Sequence, residues 1–298
     1  MDGPLADRVP DAGLRARCAD LEAILAALPS ALIGFSGGAD STLLTAMARR
    51  ILGRDRVKAC IAVGPSLPAR ELSEARALAE RLDVELSEHA ATEFSNPAYV
   101  ANGADRCFHC KADLFAHLGG FAAAVPPGAT LLYGGNLDDT YDWRPGRAAA
   151  AAAGARAPMA EARLSKADVR ALSRLLGLPT SDKPAQPCLS SRIPYGQAVT
   201  PAKLAAVEAG EEILRAMGFR EYRLRHYGDL ARVEIPGDQA HLLSASARMD
   251  LESKLSALGF TRMEIDPEGF RSGKLNRALA GVTDLPPGRT QPVGPKLP

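Results

Sequence analysis

No apolar run in this chain reaches the roughly 18 residues that a membrane-spanning helix needs, so no membrane partner is expected. An excess of one charge is missing too. Lys and Arg number 36 against 35 Asp and Glu, leaving a net charge of +1. A broad basic face for RNA or DNA is therefore not expected, and neither is a nucleic-acid partner. The first eleven residues carry acids and prolines rather than an apolar core, so no signal peptide is read there. Cysteine is scarce: five residues, an odd number without a secretory leader, which argues for reduced thiols and a cytoplasmic location rather than a disulfide framework. What is present is a 298-residue chain with 46% hydrophobic residues, enough for one large or two ordinary packed domains.

Short strand patterns at 31–35, 57–63, 84–87 and 129–133 alternate with helical patterns at 14–28, 42–52, 68–82 and 166–176. The last helix has Ser165 and Asp168 placed as a capping box and Gly177 as its stop, and the alanine run 148–153 before Gly154 reads as a short helix. Strand–helix alternation predicts an α/β fold with a doubly wound parallel sheet. Between Pro179 and Pro201 the chain is rich in proline and turns irregular. Beyond it, helices over 201–217 and 238–258 and strands over 222–226, 231–235 and 262–265 predict a smaller α+β domain. The expected division is 1–196, 197–280 and a disordered Pro/Gly-rich tail over 281–298.

Ser36-Gly37-Gly38-Ala39-Asp40-Ser41 follows the first strand and opens a helix. Glycines there let backbone N–H groups approach an anion at the positive end of the helix, with Ser36 and Ser41 as further donors. No Gly-Lys-Ser/Thr follows, so the P-loop of kinases and GTPases is excluded. The string instead resembles the PP-loop of enzymes that cleave ATP between its α- and β-phosphates. A second ligand-edge segment is Gly134-Gly135-Asn136-Leu137-Asp138-Asp139, followed by Asp142; its carboxylates read either as a solvated loop or as a Mg²⁺-holding edge of the ATP site.

Cys107-Phe108-His109-Cys110 with distant Cys188 admits three readings: structural zinc completed by His109 and His117, a redox dithiol, or a three-cysteine [4Fe–4S] cluster with one open iron. Cys188 sits between prolines, near Lys183 and Arg192 in sequence, cations expected to favour its thiolate. Cys18 and Cys60 fall in apolar patterns and read as core. Arg223 and Arg225 share one strand face, a spacing suited to phosphate or carboxylate, and Arg271 lies in a glycine-flanked turn.

Taken with PCLSSRIPYG, GGNLDDTYDWRPG, NPAYVANGADRCFHCK and RLRHYGDLARVEI, the SGGADS string gives a chain that resembles the LarE family of ATP-dependent sulfur transferases in nickel-pincer cofactor biosynthesis, from about residue 31 to 277. The resemblance implies adenylation of a carboxylate on pyridinium-3,5-biscarboxylic acid mononucleotide, then displacement of AMP by sulfur. It implies ATP and Mg²⁺, with phosphates held by Ser36, Gly37, Gly38, Asp40 and Ser41, joined by Asn136 and Asp139. Cys188 is the implied catalytic residue. Having Cys107 and Cys110 besides it, the chain is similar to the family's [4Fe–4S] variant. Ser191, Arg192, Arg223, Arg225 and Arg271 fall on positions implied near the substrate, Glu234 on an acid with no assigned role, and a homohexamer is implied. The chain departs from the family pattern at Asn102-Gly103 and Lys274. The rival readings are a PP-loop [4Fe–4S] tRNA thiolase and a non-catalytic ATP-binding protein with structural zinc.

Overall fold

The computed structural model describes residues 3–121, 128–140, 145–184, 186–271 and 274; the side chains of 117–121 and 145 are not among them. The expected tail over 281–298, Asp142 and the His117 side chain lie outside the described residues.

Four parallel strands form the first sheet: β1 (Ala31–Gly34), β2 (Val57–Val63), β3 (Glu85–Ala90) and β4 (Thr130–Tyr133), in the order β3-β2-β1-β4. Successive residues of β1 and β2 point to opposite faces. Ile33 and Ala59 enter the larger core with Leu21, Leu43, Met47 and Leu172, while Leu32 and Cys60 enter a smaller one with Phe115 and Ala150. Helices therefore cover both faces. They are α1 (Ala12–Ala26), α2 (Ala39–Leu52), α3 (Ala69–Arg81), α4 (Pro97–Val100), α5 (Arg106–Phe121), α6 (Pro145–Ala152), α7 (Pro158–Glu161) and α8 (Lys166–Leu175). The expected α/β doubly wound sheet is present. Local chemistry sets the helix starts: Asp11 accepts the Leu14 N–H at 2.6 Å before α1, and Ser165 with Asp168 closes the capping box of α8. Because the chain leaves β1 toward β2 on one side and returns as β4 on the other, strand order reverses between β1 and β4. Ligands of open parallel sheets bind at such a reversal, beyond the carboxyl ends of the strands.

The second sheet has a hairpin, β5 (Arg223–Tyr227) and β6 (Leu230–Glu234), with β7 (Arg262–Ile265) parallel to β6. Helices α9 (Pro201–Ala216) and α10 (Ala245–Ala257) pack on it through Leu214, Leu251 and Leu255. The single helix expected over 238–258 is instead a 3-10 turn, Gly237–Leu242, and α10, which restarts where Ser244 accepts the Ala247 N–H at 3.2 Å. A second feature unexpected from the sequence is that α5 carries the C-x-x-C segment at its N-terminal end. A small cluster of Tyr99, Leu189, Ile193, Val199, Leu204 and Val207 joins the irregular 179–200 strap to α4 and α9. Asn102 anchors that strap. It is fully buried in the left-handed region (φ +59°), and its Nδ2 donates to the carbonyls of Pro194 (2.8 Å) and Gln197 (2.9 Å) while Oδ1 accepts from Arg106 at 2.6 Å.

Candidate active site

The turn after β1 is a cup at the start of α2. Gly37 has φ +68°, and a Cβ there would lie 3.2 Å from Ala75 Cβ of α3, so glycine is required for both conformation and space. Ser41 Oγ donates to the Gly38 carbonyl at 3.2 Å, accepts the Ser36 N–H at 3.2 Å and stands 3.1 Å from Ser36 Oγ. The end of β4 closes against it: Asn136 Nδ2 donates to Asp40 Oδ1 at 2.9 Å, and the Asn136 N–H donates to Asp139 Oδ2 at 3.1 Å. Ser36, Gly37, Gly38, Asp40, Ser41, Asn136 and Asp139 thus lie together across the strand-order reversal. The result is an anion-binding cradle at a helix N-terminus, with one carboxylate fixed at its rim.

The acidic edge is less open than its sequence suggests. Asp138 accepts the Lys166 N–H at 2.6 Å and so caps α8, while Asp139 is buried and bonded to Asn136. Among the described residues no three Asp, Glu, His or Cys gather as a metal site. A Mg²⁺ fits this donor set only in its usual nucleotide-bound form, held by phosphates and water with Asp40 as its protein carboxylate.

The three cysteines come from distant parts of the chain to one neighbourhood. Tyr99 and Ser190 pair through their hydroxyls at 2.6 Å, Arg106 Nη1 donates to the Ser190 carbonyl at 2.8 Å, and the Leu189 N–H donates to the Ser66 carbonyl at 2.9 Å. These bonds hold Cys188 beside the first turn of α5. Burial pushes the Cys110 thiol up to about 11, and the Cys188 and Cys107 sulfurs add to that rise. Burial weakens the Arg106 cation, yet Cys188 and Cys107 more than restore it and its pKa ends above the usual arginine value. Cys107 and Cys188 are exposed, whereas Cys18 and Cys60 are buried, their thiols lifted to about 12 chiefly by burial. As placed, the three thiols do not form a ready ligand set for a cluster. His109, named for zinc, bonds Asp105 at 3.0 Å.

The cations expected to act on Cys188 are spent elsewhere. Lys183 Nζ bonds Glu71 and Glu74 at 2.7 and 2.8 Å. Arg192 is buried and forked onto Glu211 at 2.9 and 2.8 Å, its Nη1 reaching the backbone carbonyls of Pro187 and Cys188 rather than the thiol. Arg225 is likewise forked onto Glu234 at 3.0 and 2.8 Å and donates to the Ser191 carbonyl at 2.8 Å. Neither arginine has an unbalanced charge to offer. Arg223 differs. It stacks over Phe270 at 5.0 Å, and burial followed by repulsion from Arg192 lowers its pKa to about 10. An anion beside it would relieve both effects. It lines a cleft of about 700 Å³ with Arg192, Lys183, Glu71, Gln186 and Tyr222. Ser191, Arg192, Arg223 and Arg225 are therefore together; Arg271 is exposed in the turn after Phe270. Lys274, one of the departures from the family pattern, pairs with Asp266 at 2.6 Å. The site residues missed from the sequence are Arg106, Tyr99, Asn102 and Glu211; each acts through a contact far along the chain, and only the i,i+4 spacing of Asn102 and Arg106 was visible locally.

The sheet, the cup after β1 and the cradle rim after β4 define a PP-loop α/β protein, and the NAD synthase family matches residues 19–101. Among curated proteins, the chain is 37% identical over 269 residues (90% of this chain, 96% of the other) to the pyridinium-3,5-bisthiocarboxylic acid mononucleotide synthase of Lactiplantibacillus plantarum. It is 41% identical over 267 residues (89% of this chain, 99% of the other) to an uncharacterised protein of a Synechocystis strain. An uncharacterised Methanocaldococcus jannaschii protein is 25% identical over 242 residues, covering 81% of this chain and 90% of that one. The chain belongs to the LarE-type pyridinium-3,5-bisthiocarboxylic acid mononucleotide synthase family. Among the described residues no helix is long and apolar enough to cross a membrane.

Proposed function

We propose that this chain is an ATP-dependent sulfur transferase that converts a carboxylate of pyridinium-3,5-biscarboxylic acid mononucleotide to a thiocarboxylate, in nickel-pincer cofactor biosynthesis. A substrate carboxylate oxygen attacks the α-phosphorus of ATP and pyrophosphate leaves from the cup. Sulfur then attacks the acyl carbon, the C–O bond to phosphate breaks, and AMP leaves. The observation that carries this reading is the strap: Lys183 at one end touches the Gly37 carbonyl of the cup, and five residues on Cys188 sits beside Cys107 and Cys110. One short segment thus links the two half-reactions.

In this reading Ser36, Gly37, Gly38, Asp40 and Ser41 orient the triphosphate, with Asn136 and Asp139 holding Asp40 in place. Bound Mg²⁺ would screen phosphate charge against Asp40. Arg223 takes the substrate's phosphate or second carboxylate, since half-buried Arg223, unlike buried Arg192 and Arg225, forms no ion pair with a carboxylate among the described residues. Arg192 lines that pocket, Arg225 and Ser191 brace it through their hydrogen bond, exposed Arg271 next to the Phe270 on which Arg223 stacks is assigned to the substrate, and Glu234 balances Arg225. Cys188 is where sulfur is delivered. Cys107 and Cys110 complete the set on which a [4Fe–4S] cluster would draw. As placed, the three thiols do not form its ligand set. Residues 1–196 adenylate, residues 197–280 bind substrate and build a homohexamer, and the work is done in the cytoplasm.

Cys188→Ala is the test. It should abolish thiocarboxylate formation and spare substrate-dependent pyrophosphate release, because adenylation uses only the cup. Loss of both steps in a folded variant, or continued thiocarboxylate formation, would overturn the assignment. Iron content after anaerobic reconstitution and the mass of Cys188 after turnover separate the sulfur sources: a loss of H₂S marks the cysteine as donor, and an unchanged thiol with about four irons marks a cluster.

A further inference from the structure

The cup lacks the lysine by which a P-loop grips phosphates. The fold supplies one from elsewhere in the chain. Lys183 Nζ donates to the Gly37 carbonyl at 3.3 Å, across 146 positions of sequence, and its side chain is only 14% exposed. It is held there by Glu71 at 2.7 Å and Glu74 at 2.8 Å, both on α3. The same helix packs Ala75 against Gly37, so α3 fixes the loop and its neighbouring cation as one unit. Burial works against the Lys183 cation, but the two carboxylates outweigh it and its pKa lies above the ordinary lysine value. Glu74 also pairs with Arg70 at 2.8 Å, so Lys183 is not the sole counter-charge of the two carboxylates, and its departure would leave Glu74 with a cation. That arrangement suits a cation waiting to be handed to a more highly charged partner.

We propose that Lys183 is the pyrophosphate-binding lysine of the ATP site, parked on Glu71 and Glu74 in the empty enzyme and transferred to the β/γ-phosphates when ATP enters. The assignment rests on the ATP-dependent reading above and adds to it a residue and a competition. Glu71 and Glu74 oppose nucleotide binding, because they hold the cation that the phosphates need. Specificity follows: AMP has no β- or γ-phosphate and gains nothing from Lys183, so the product is released more readily than ATP or pyrophosphate.

The test is calorimetric titration of the full-length protein with α,β-methylene-ATP and, separately, with AMP. Lys183→Gln should weaken the ATP analogue about 10- to 100-fold, the worth of a charge-assisted hydrogen bond, and leave AMP unchanged. Lys183→Arg should recover part of the loss. Glu71→Gln with Glu74→Gln should act in the opposite direction and tighten the analogue about 3- to 10-fold, as expected when a competing hydrogen bond to the cation is removed. A merely structural ion-pair cluster predicts that breaking it from either side weakens both nucleotides alike. Equal losses for the analogue and AMP, or weaker analogue binding in the folded double glutamine variant, would overturn the proposal. A wild-type protein that releases pyrophosphate while Lys183→Gln binds the analogue normally would sink the lysine assignment alone. A wild-type protein that binds neither nucleotide would sink the ATP-dependent reading with it.

Discussion

At Gly134 the segment after β4 comes tightly against the first turn of α2, and Gly134→Ala tests whether that closeness matters. A Cβ built there lies 2.8 Å from the Ser41 nitrogen and 3.1 Å from both Ser41 Cα and the Asp40 carbonyl carbon. Ordinary contact begins near 3.4 Å, so the first turn of α2 must retreat by about half an ångström. The obstacles are backbone atoms, and no side-chain rotation relieves them. Overpacking of this kind costs about 1–3 kcal/mol, which for a domain of this size lowers Tm by about 2–4 °C per kcal/mol. The functional cost should be larger in proportion. Phosphate-positioning groups work within about 0.5 Å of their productive geometry, and a 1 Å error costs ~100-fold, so pyrophosphate release should fall by roughly 10-fold or more. Gly210→Ala provides the control: its Cβ would run into Leu224 and Leu255, in the core of the second sheet, far along the chain from the cup. Thermal denaturation and a coupled pyrophosphate assay should show both variants destabilised and only Gly134→Ala impaired in the first half-reaction. Wild-type pyrophosphate release by Gly134→Ala would refute the claim that the β4–α2 approach sets the cup.

Arg192→Leu should destabilise by about 3–5 kcal/mol, because it leaves buried Glu211 charged with no counter-ion and only the Leu224 N–H as partner, whereas Arg192→Leu with Glu211→Leu should lose much less; chemical denaturation of both variants checks this. His226 is buried against Phe260 with its Nδ1 unpartnered, and burial, then Lys203, depresses its pKa. Its native form is the neutral ring, so the stability it contributes is present above the unfolded value of about 6.5 and is lost as pH falls through that value toward the depressed one. His226→Phe should flatten the decline in unfolding free energy as pH falls below about 6.5. Mass-resolved alkylation under reducing conditions should label exposed Cys107 and Cys188 first and Cys110 more slowly, with Cys18 and Cys60 modified only after unfolding.

The parallel sheet was legible because its signals are local. The apolar runs of β1, β2 and β4, glycine after β1 and caps such as Ser165 sit within a few positions of what they govern, whereas polar β3 (Glu85–Ala90) extends past the expected 84–87. That the segments 36–41 and 134–139 meet at one edge of the sheet was legible for the same reason: each follows closely on a strand. The C-x-x-C helix was less so. Phe108, Ala112 and Phe115 do recur at helical spacing and pack on the smaller core, but the cysteines drew attention to metal chemistry instead of to period. The break before α10 was hidden because apolar residues continue across Leu242 and Leu243, and only Ser244 marks the new start. What the sequence could not disclose is which cations are already paired. Arg192 with Glu211 and Arg225 with Glu234 are settled by tertiary contact, and nothing in residues 182–192 shows that Lys183 turns away from Cys188 toward Gly37. Charge near a thiol in sequence is a poor guide to charge near it in space when a carboxylate on another helix competes.

The Asn102 clamp also bears on how this protein ages. Asparagine followed by glycine is the dipeptide that closes most readily to a cyclic imide and hydrolyses to aspartate, since the glycine nitrogen meets little steric resistance in attacking the side-chain carbonyl. In the native chain that side chain is held by Arg106 and by the carbonyls of Pro194 and Gln197, and these bonds must break before it can turn to meet the glycine nitrogen. An unfolded chain has no such protection. Once converted, a buried carboxylate would face the oxygens that its amide used to serve, and the strap holding Cys188 could no longer be tied down. Time spent unfolded would therefore be recorded as permanent chemical damage at a single position, and preparations recovered from denaturant should be made quickly, cold and below neutral pH.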